Sequence, residues 1–224
     1  MALSENPESG SVSEASETPE DPARRGRVRA RRAAVMAVPA TLVAATLAVL
    51  TAEGALGVQF AISGMPFTVT ASELKGEGFE QYGGLDHMAP GSPNEGDTGG
   101  QVLVVTSVIK KATLTKLCQS VDLGGTNLLI TAGGGEKKVS ARDLTTDSTD
   151  LSGDAAFRNI EIGNDASTLD KAGANAPKGP IGVFSQQSDE VRIANLRQTN
   201  YATTAAVFKL PGLKLRFSSE GCPK

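Results

Sequence analysis

The sequence predicts an all-β exported domain preceded by one N-terminal transmembrane or signal helix. Three features predict this organisation: an arginine-rich segment that leads into an uncharged stretch, short runs rich in Val, Ile, Thr and Phe that follow it, and a six-residue pattern that recurs in those runs. We expect the strands to form a curved antiparallel sheet, a sandwich or an open barrel, with a β-solenoid as the runner-up.

Residues 1–32 are predicted to be a disordered cytoplasmic tail. The first 23 residues contain little to bury, so ordering them would not offset the entropy that they lose. The tail ends in six arginines, which we interpret as a topology signal: Arg24, Arg25, Arg27, Arg29, Arg31 and Arg32.

Residues 33–54 are predicted to be a transmembrane signal anchor or a signal peptide. No charged residue occurs from 33 to 52, and roughly 18 to 20 apolar residues are enough to cross a bilayer core. Basic residues on the N-terminal side hold that side in the cytoplasm. The C-terminal domain is therefore expected outside the cell membrane, or secreted if the chain is cleaved near Gly54.

Residues 55–224 are predicted to be the exported β domain, with flexible loops at 82–100 and 165–180. The domain carries 16 basic and 18 acidic residues and has no basic stripe, which excludes nucleic acid as a partner. Its loops are rich in Gly, Pro and polar residues. The predicted strands lie between Gly, Pro, Asn or Asp residues, at 58–62, 67–74, 102–109, 128–131 and 191–196.

Six hexapeptides share one template within these runs. It consists of a small apolar residue, any residue, an apolar residue, any residue, a polar residue, and then Leu or Ile. The matches are VTASEL from Val69, ATLTKL from Ala112, VSARDL from Val139, AAFRNI from Ala155, VRIANL from Val191 and AAVFKL from Ala205. The first and third positions share one strand face, whereas the sixth is out of phase. We therefore expect a bend or bulge that turns the sixth side chain inward.

Both cysteines of the chain, Cys118 and Cys222, lie in the exported part. In an oxidising compartment two lone thiols usually pair, so we predict a Cys118–Cys222 disulfide. A pair of free, buried thiols is the alternative. Neither cysteine has a neighbouring Cys or His that would complete a metal site.

Several segments carry a resemblance to a known family: RVRARRAAVMAVPATL, VQFAISGMPFTVTASELKGEGFEQYGG, TKLCQSV, FRNIEIG and the closing YATTAAVFKLPGLKLRF with its following cysteine. With these segments the chain resembles an actinobacterial, Streptomyces-type family of membrane-anchored or secreted proteins of unknown function. Some members carry the name cholesterol esterase, and members tend to be encoded beside a small multi-pass membrane protein. The resemblance implies a cell-envelope protein.

The residues do not support an esterase. The chain has no Gly-x-Ser-x-Gly turn, and its one histidine, His87, lies in a predicted loop. A triad would have to combine His87 with Ser107, Ser185 or Asp143. We therefore predict no catalytic residue and no cofactor. The spacing of Asp143, Asp147, Asp150 and Asp154 fits no calcium loop, so no metal site is predicted either.

Ten apolar residues form a candidate face for an apolar ligand, because concave apolar surface is typical of lipid sites: Phe60, Phe67, Val69, Leu114, Phe157, Ile160, Val191, Ile193, Val207 and Phe208. The alternative is that they are the core of the domain.

The function that the sequence favours is that of a non-catalytic binding or structural module of the cell envelope. The alternatives are a lipid-binding domain and a lipid-ester hydrolase of the cholesterol esterase type. The expected partners are the membrane, the small multi-pass membrane protein and lipid.

Overall fold

The computed structural model describes residues 60–223. The tail, the arginine cluster and the predicted span lie outside the described residues, as do residues 58 and 59 of the predicted strand 58–62. Residues 60–62 form no strand, and Ile62 makes an isolated bridge to Met88. Within residues 60–223, no helix has the length and apolar character needed to cross a membrane. The helical structure described consists of two short 3-10 helices, Gly96–Thr98 and Ala166–Thr168.

Nine strands make up the described fold: β1 Phe67–His87, β2 Gln101–Thr115, β3 Leu117–Asp122, β4 Asn127–Ala132, β5 Val139–Arg158, β6 Glu161–Asp165, β7 Phe184–Thr204, β8 Val207–Lys209 and β9 Lys214–Ser218. Every pairing between these strands is antiparallel. The all-β prediction is therefore confirmed. A parallel β-solenoid, the runner-up, is wrong for this part of the chain, where the parallel contact described is an isolated bridge between Ile62 and Met88.

Four long strands close into a ring. The order is β1, β2, β5 and β7, and β7 pairs back onto β1. As a result, most of β1 has a hydrogen-bonded neighbour on both sides, with β7 along 67–82 and with β2 along 73–87. Ring closure removes the free edges that an open sheet would leave on these strands.

A smaller extension, which we call the wing, continues the sheet beyond the start of β1. It consists of β3, β4 and β9, paired in that order. Strand β3 continues β2, since both strands pair with β1 in one register, and only Lys116 separates them. The outer edge of the wing is β9.

The predicted bends occur at the fifth position of the template. Among residues 60–223, the non-glycine residues with a left-handed φ are Lys116 (52°), Asp143 (49°), Asn159 (51°) and Asn195 (53°). Each is the fifth residue of one hexapeptide. A left-handed residue inside a strand changes the phase of the side chains that follow it, which is why the third and sixth positions of these hexapeptides point the same way.

These bends form two creases across the ring. In the strand register, Ser72 of β1 lies between Asn195 of β7 and Lys116, and the pairing is interrupted there on both sides. A second crease joins Gly78, Lys110 and Asp143, and Gly78 has a φ of 66°. Because the bends line up from strand to strand, the sheet can curl there while the pairings of β1 with β2 and β7, and of β2 with β5, keep one register on both sides of each bend.

The main core is built from four of the six hexapeptides, those of β1, the β2–β3 junction, β5 and β7. Their first, third and sixth residues are all buried, in one cluster: Val69, Ala71, Leu74, Ala112, Leu114, Leu117, Val139, Ala141, Leu144, Val191, Ile193 and Leu196. Phe79, Ile109 and Ala132 complete the cluster. Burying a Leu, Ile or Val side chain contributes about 1.5 to 3 kcal/mol each.

The other two hexapeptides lie at the margin of the core. Ile160, predicted to point inward, is 38% exposed. This prediction is wrong because Ile160 lies in the turn between β5 and β6, beyond the last residue of the strand. Lys209 has no left-handed φ, and Leu210 after it is only partly buried against the core.

Each of the two segments predicted as a loop contains residues that pair in the sheet or are buried. Residues 82–87 are the end of β1, where they pair with 101–106 of β2, and the rest of 82–100 forms turns and a 3-10 helix. Within 165–180, Ala166 and Leu169 are fully buried. Both placements depend on long-range contacts that local composition does not show. The flexibility of the two segments stays a prediction.

The predicted disulfide is confirmed. Cys118 and Cys222 are bonded, with their Cα atoms 5.8 Å apart and a sequence separation of 104. The bond ties the C-terminus to β3, where the Cys222 amide also donates to Ser120 Oγ at 3.0 Å. Closing a loop of this length stabilises the fold by about 3 to 5 kcal/mol in chain-entropy terms.

The crease at Lys116 makes a testable prediction. A β-branched residue tolerates left-handed backbone poorly, whereas glycine adopts it freely. We expect Lys116→Val to lower the free energy of unfolding by about 1 to 2 kcal/mol and Lys116→Gly to change it by less than that. Denaturant unfolding measures both. Thr113→Val, at an exposed site of β2, is the control and should not lower the free energy of unfolding. Equal losses of stability in all three variants would contradict a left-handed bend at Lys116.

Candidate ligand groove

A groove of about 1340 Å³ lies over the β1–β2–β5 part of the ring. Its floor is formed by Tyr82, Thr106 and Asp147 on these three strands. They alternate along the strands with residues such as Ser107 that point toward the core. Residues 172–180 form one wall, and residues 60–62 and 204–206 form others.

The wall segment is held in place by β1 and β7. Tyr82 donates its hydroxyl hydrogen to the Pro177 carbonyl at 3.2 Å, and the Ala172 amide donates to Glu80 Oε1 at 2.6 Å. Leu169 and Tyr82 belong to one buried cluster beneath the wall. A Cβ on Gly179 would lie 2.7 Å from the Tyr82 ring, so the close approach requires glycine there.

The carboxylates of the groove are partly desolvated. Burial, with a smaller contribution from the charge of Asp147, raises the pKa of Asp86 to about 6. Burial also raises the pKa of Asp147, although the Thr106 hydroxyl opposes this by donating to Asp147 Oδ1 at 2.6 Å. Asp86 Oδ2 is buried and accepts no hydrogen bond from residues 60–223. A buried acceptor without a donor is costly, so Asp86 is suited to receive one from a ligand.

Glu80 and Tyr82 lie on the same face of β1 as Asp86. Glu80 is fully buried, and burial raises its pKa while the bond from the Ala172 amide opposes the shift. Burial also raises the pKa of Tyr82 to about 12, helped by the charges of Asp147 and Glu80. Tyr82 is therefore neutral at physiological pH and serves as a hydrogen-bond donor to the wall.

Side chains of both charge signs line the groove. Lys110 and Asp143, both at the second crease, line the groove together with Lys178 of the wall and His87 at the end of β1. The groove is thus of mixed charge, with its desolvated oxygens at the floor.

The ten residues of the predicted apolar-ligand face do not form one surface. Val69, Leu114, Val191 and Ile193 are in the core, and Phe67 and Phe157 pack against it. The free space among these core side chains is only about 30 Å³, roughly that of one water molecule.

The remaining members of that set lie elsewhere. Val207 is half-buried, while Phe60, Ile160 and Phe208 are exposed. Phe60, Phe67 and Phe208 together line a second hollow, of about 480 Å³.

The serines considered as partners of His87 are far from it. His87 pairs with Gln101, whereas Ser107 lies six residues further along β2, about 20 Å at the strand rise. Ser107 Oγ accepts from Gln81 Nε2 at 2.9 Å, and Ser185 donates to the Asn164 carbonyl at 2.8 Å. Asp143 lines the groove with His87, but no serine or cysteine of the described part of the chain does.

The aspartates considered for calcium are spread along β5. Asp143 and Asp147 line the groove, while Asp150 and Asp154 do not. Within residues 60–223, no group of three or more His, Cys, Asp or Glu side chains is arranged to hold a metal ion.

Sequence reasoning missed Glu80, Tyr82 and Asp86 as site residues. Tyr82 and Asp86 were passed over because the segment from 82 onward resembles a loop in composition, and Glu80 because it lies outside the predicted strands. The signal was their spacing, since Glu80, Tyr82, Gly84 and Asp86 alternate as one face of a strand does.

Asp86 gives the groove a pH-dependent signature. Its pKa rises from 3.8 to about 6 on folding, so between these values the folded chain holds more protons and stability falls as the pH rises. We expect Asp86→Asn to raise the free energy of unfolding above pH 6 by about 1 to 2 kcal/mol, after allowance for its partial exposure. The two proteins should be equally stable below pH 4.

Thermal unfolding from pH 3 to 8 measures the effect. Asp150→Asn, at an exposed site of β5, is the matched control and should change the free energy of unfolding less than Asp86→Asn does. A stability gap for Asp86→Asn that is constant across this pH range would contradict the assignment.

Comparison with known proteins identifies the family of the chain. Residues 63–223 match the model of a family of unknown function, DUF6230. No curated protein and no solved structure matches the chain. The matched range covers nearly all of the described fold, including the ring, the wing and both cysteines. The chain belongs to the DUF6230 family.

Proposed function

We propose that the protein presents its β domain on the outer side of the cell membrane as a non-catalytic binding module, and that the groove takes up an extended segment of a partner protein. The single observation that carries this proposal is the groove, with the unpartnered Asp86 Oδ2 at its floor. Nothing in the described contacts uses that oxygen, so a ligand donor is its natural partner.

The size of the groove favours a polymer over a small molecule. At about 1340 Å³ it exceeds the roughly 300 to 1,000 Å³ of ordinary small-molecule pockets. Its walls are mostly small residues, such as Gly173, Ala174 and Ala176, which leave backbone accessible to an incoming chain. An extended peptide presents both donors and acceptors and suits a wall of this kind.

The charges favour a segment that carries an amine. Asp86 and Asp147 are partly desolvated, and a cation beside them would relieve the cost of their ionisation. Lys110 and Lys178 at the rim would meet acidic or carbonyl groups on the same segment. The small multi-pass membrane protein that the family resemblance implies is the first candidate for the partner.

The same geometry argues against a lipid-binding domain and against a lipid-ester hydrolase. The free space among the core side chains, about 30 Å³, is too small for a lipid chain. The charged side chains that line the groove, among them Asp86, Asp147 and Lys110, suit a polar ligand better than an apolar one. An ester hydrolase of the serine type needs a nucleophile within hydrogen-bond reach of a base, and among residues 60–223 no serine or cysteine lines the groove beside His87.

The outer location is supported by the sequence and by the disulfide. Six arginines precede an uncharged stretch long enough to span a bilayer. A Cys118–Cys222 bond is stable in an oxidising compartment and is rare in the cytoplasm.

Site-specific photocross-linking in intact cells tests this function. A photoreactive phenylalanine analogue replaces Thr204, which lines the groove, or Thr113, an exposed residue of β2 outside it. We expect a cross-linked partner from position 204 and none from 113. Asp86→Asn should reduce the yield of the adduct at position 204 several-fold. In protoplasts, a protease that cannot cross the membrane should digest the adduct. Equal adducts at both positions, or none at 204, would contradict the proposal.

A further inference from the structure

The wing carries an uncovered apolar surface along β9. Leu215 and Phe217 are 60% and 68% exposed. Opposite them in the sheet are Ile130 and Leu128 of β4, which are only half-buried. Leu213, just before the strand, is 52% exposed. Nothing within residues 60–223 packs over these side chains, and exposed patches of this kind mark interaction surfaces.

The charges on this surface are positive. Lys214 and Arg216 alternate with the apolar residues of β9, and both are exposed. Within residues 60–223 neither of them forms an ion pair. The three strands of the wing contain one acidic residue, Asp122, at the end of β3. Strand β9 is therefore apolar on one face and cationic on the other.

A second exposed apolar patch, at β6 and β7, has the opposite surroundings. Ile162 and Phe184 are 64% and 65% exposed, which is comparable with β9. Their neighbours in sequence and register include Glu161 and Asp165. The β9 surface, with cationic neighbours, and the β6–β7 surface, with acidic neighbours, therefore differ in charge although they are equally apolar.

The wing also lies beside the point where the chain enters the domain. Phe67, the first residue of β1, pairs with Val121 of the wing. The predicted span ends at Gly54, and the six residues from there to Phe60 reach at most about 20 Å. Phe60 and Phe67 line one hollow together with Phe208. A membrane in which the span is inserted is thus within reach of the wing.

We propose that β9 docks on an anionic lipid surface, with Leu213, Leu215 and Phe217 in the interface and with Lys214 and Arg216 among the headgroups. Amphipathic elements with this mixture bind at the boundary between headgroups and acyl chains, and cations near an anionic leaflet are attracted to it. A second copy of the chain fits this edge poorly, because a two-fold pairing of β9 strands would bring the same cations together. The proposal rests on the outer membrane-side location proposed above.

The chain contains no tryptophan, so a single one reports on its own surroundings. The experiment uses the full chain with Phe217→Trp, and Phe184→Trp as the matched control at nearly equal exposure. Each is mixed with vesicles of phosphatidylglycerol or phosphatidylcholine whose acyl chains are brominated. We expect the Phe217→Trp emission in phosphatidylglycerol to shift to the blue and to be quenched at least twofold more than that of Phe184→Trp. Adding Lys214→Gln and Arg216→Gln should bring the quenching down to the control level.

Flotation of the same samples separates this proposal from the proposed location. A chain that floats with the vesicles, but whose two reporters are quenched equally, overturns the docking of β9 and leaves the location intact. A chain that does not float contradicts the location and the docking together. Quenching that survives loss of both cations overturns the headgroup contact. A blue shift of the Phe217→Trp emission that depends on protein concentration and needs no vesicles overturns the proposal in favour of pairing between copies.

Discussion

The left-handed bends at Lys116, Asp143 and Asn195 are the constraint on which the rest of the structure depends. Each bend lets the third and sixth residues of a hexapeptide face the same core, so one short pattern supplies three buried side chains where a flat strand would bury two of them. Because the bends align into creases across neighbouring strands, the sheet curls until β7 meets β1. Chain regions more than a hundred residues apart then form the ladder that closes the ring.

The second crease also places the groove. Gly78 has left-handed backbone there, and a Cβ on it would lie 2.5 Å from the Lys171 carbonyl oxygen, so the wall segment packs directly on the bend. Lys110 and Asp143, the other members of the crease, line the groove that this packing creates. The fold and the candidate site therefore share one cause, namely a place where strand backbone departs from extended geometry. Strain of this kind is often located at functional sites.

The sequence predicted what depends on local pattern. The hexapeptides predicted the core positions of four strands and the place of the bends, and the two cysteines, expected in an oxidising compartment, predicted the disulfide. It did not predict the groove, because the groove requires the register of β1 with β2 and β7, and no local pattern encodes that register. Asp86 lies in a Gly-rich stretch typical of a loop, and Leu169 lies in a polar one, although each is placed by partners far away in sequence. The ten apolar residues proposed as a ligand face were chosen by strand alternation, which does not distinguish a filled core from an empty one.

Ring closure is the central claim, and amide hydrogen exchange tests it most directly. Residues 73–82 of β1 are flanked by β2 on one side and β7 on the other, whereas β9 has a partner on one side among the described residues. If the ring is closed, the amides of 73–82 that bond across the sheet exchange only when the whole domain unfolds, with protection equal to the global free energy of unfolding. Those of β9 exchange faster, by local opening. Equal and rapid exchange in 73–82 and in β9 would contradict a closed ring.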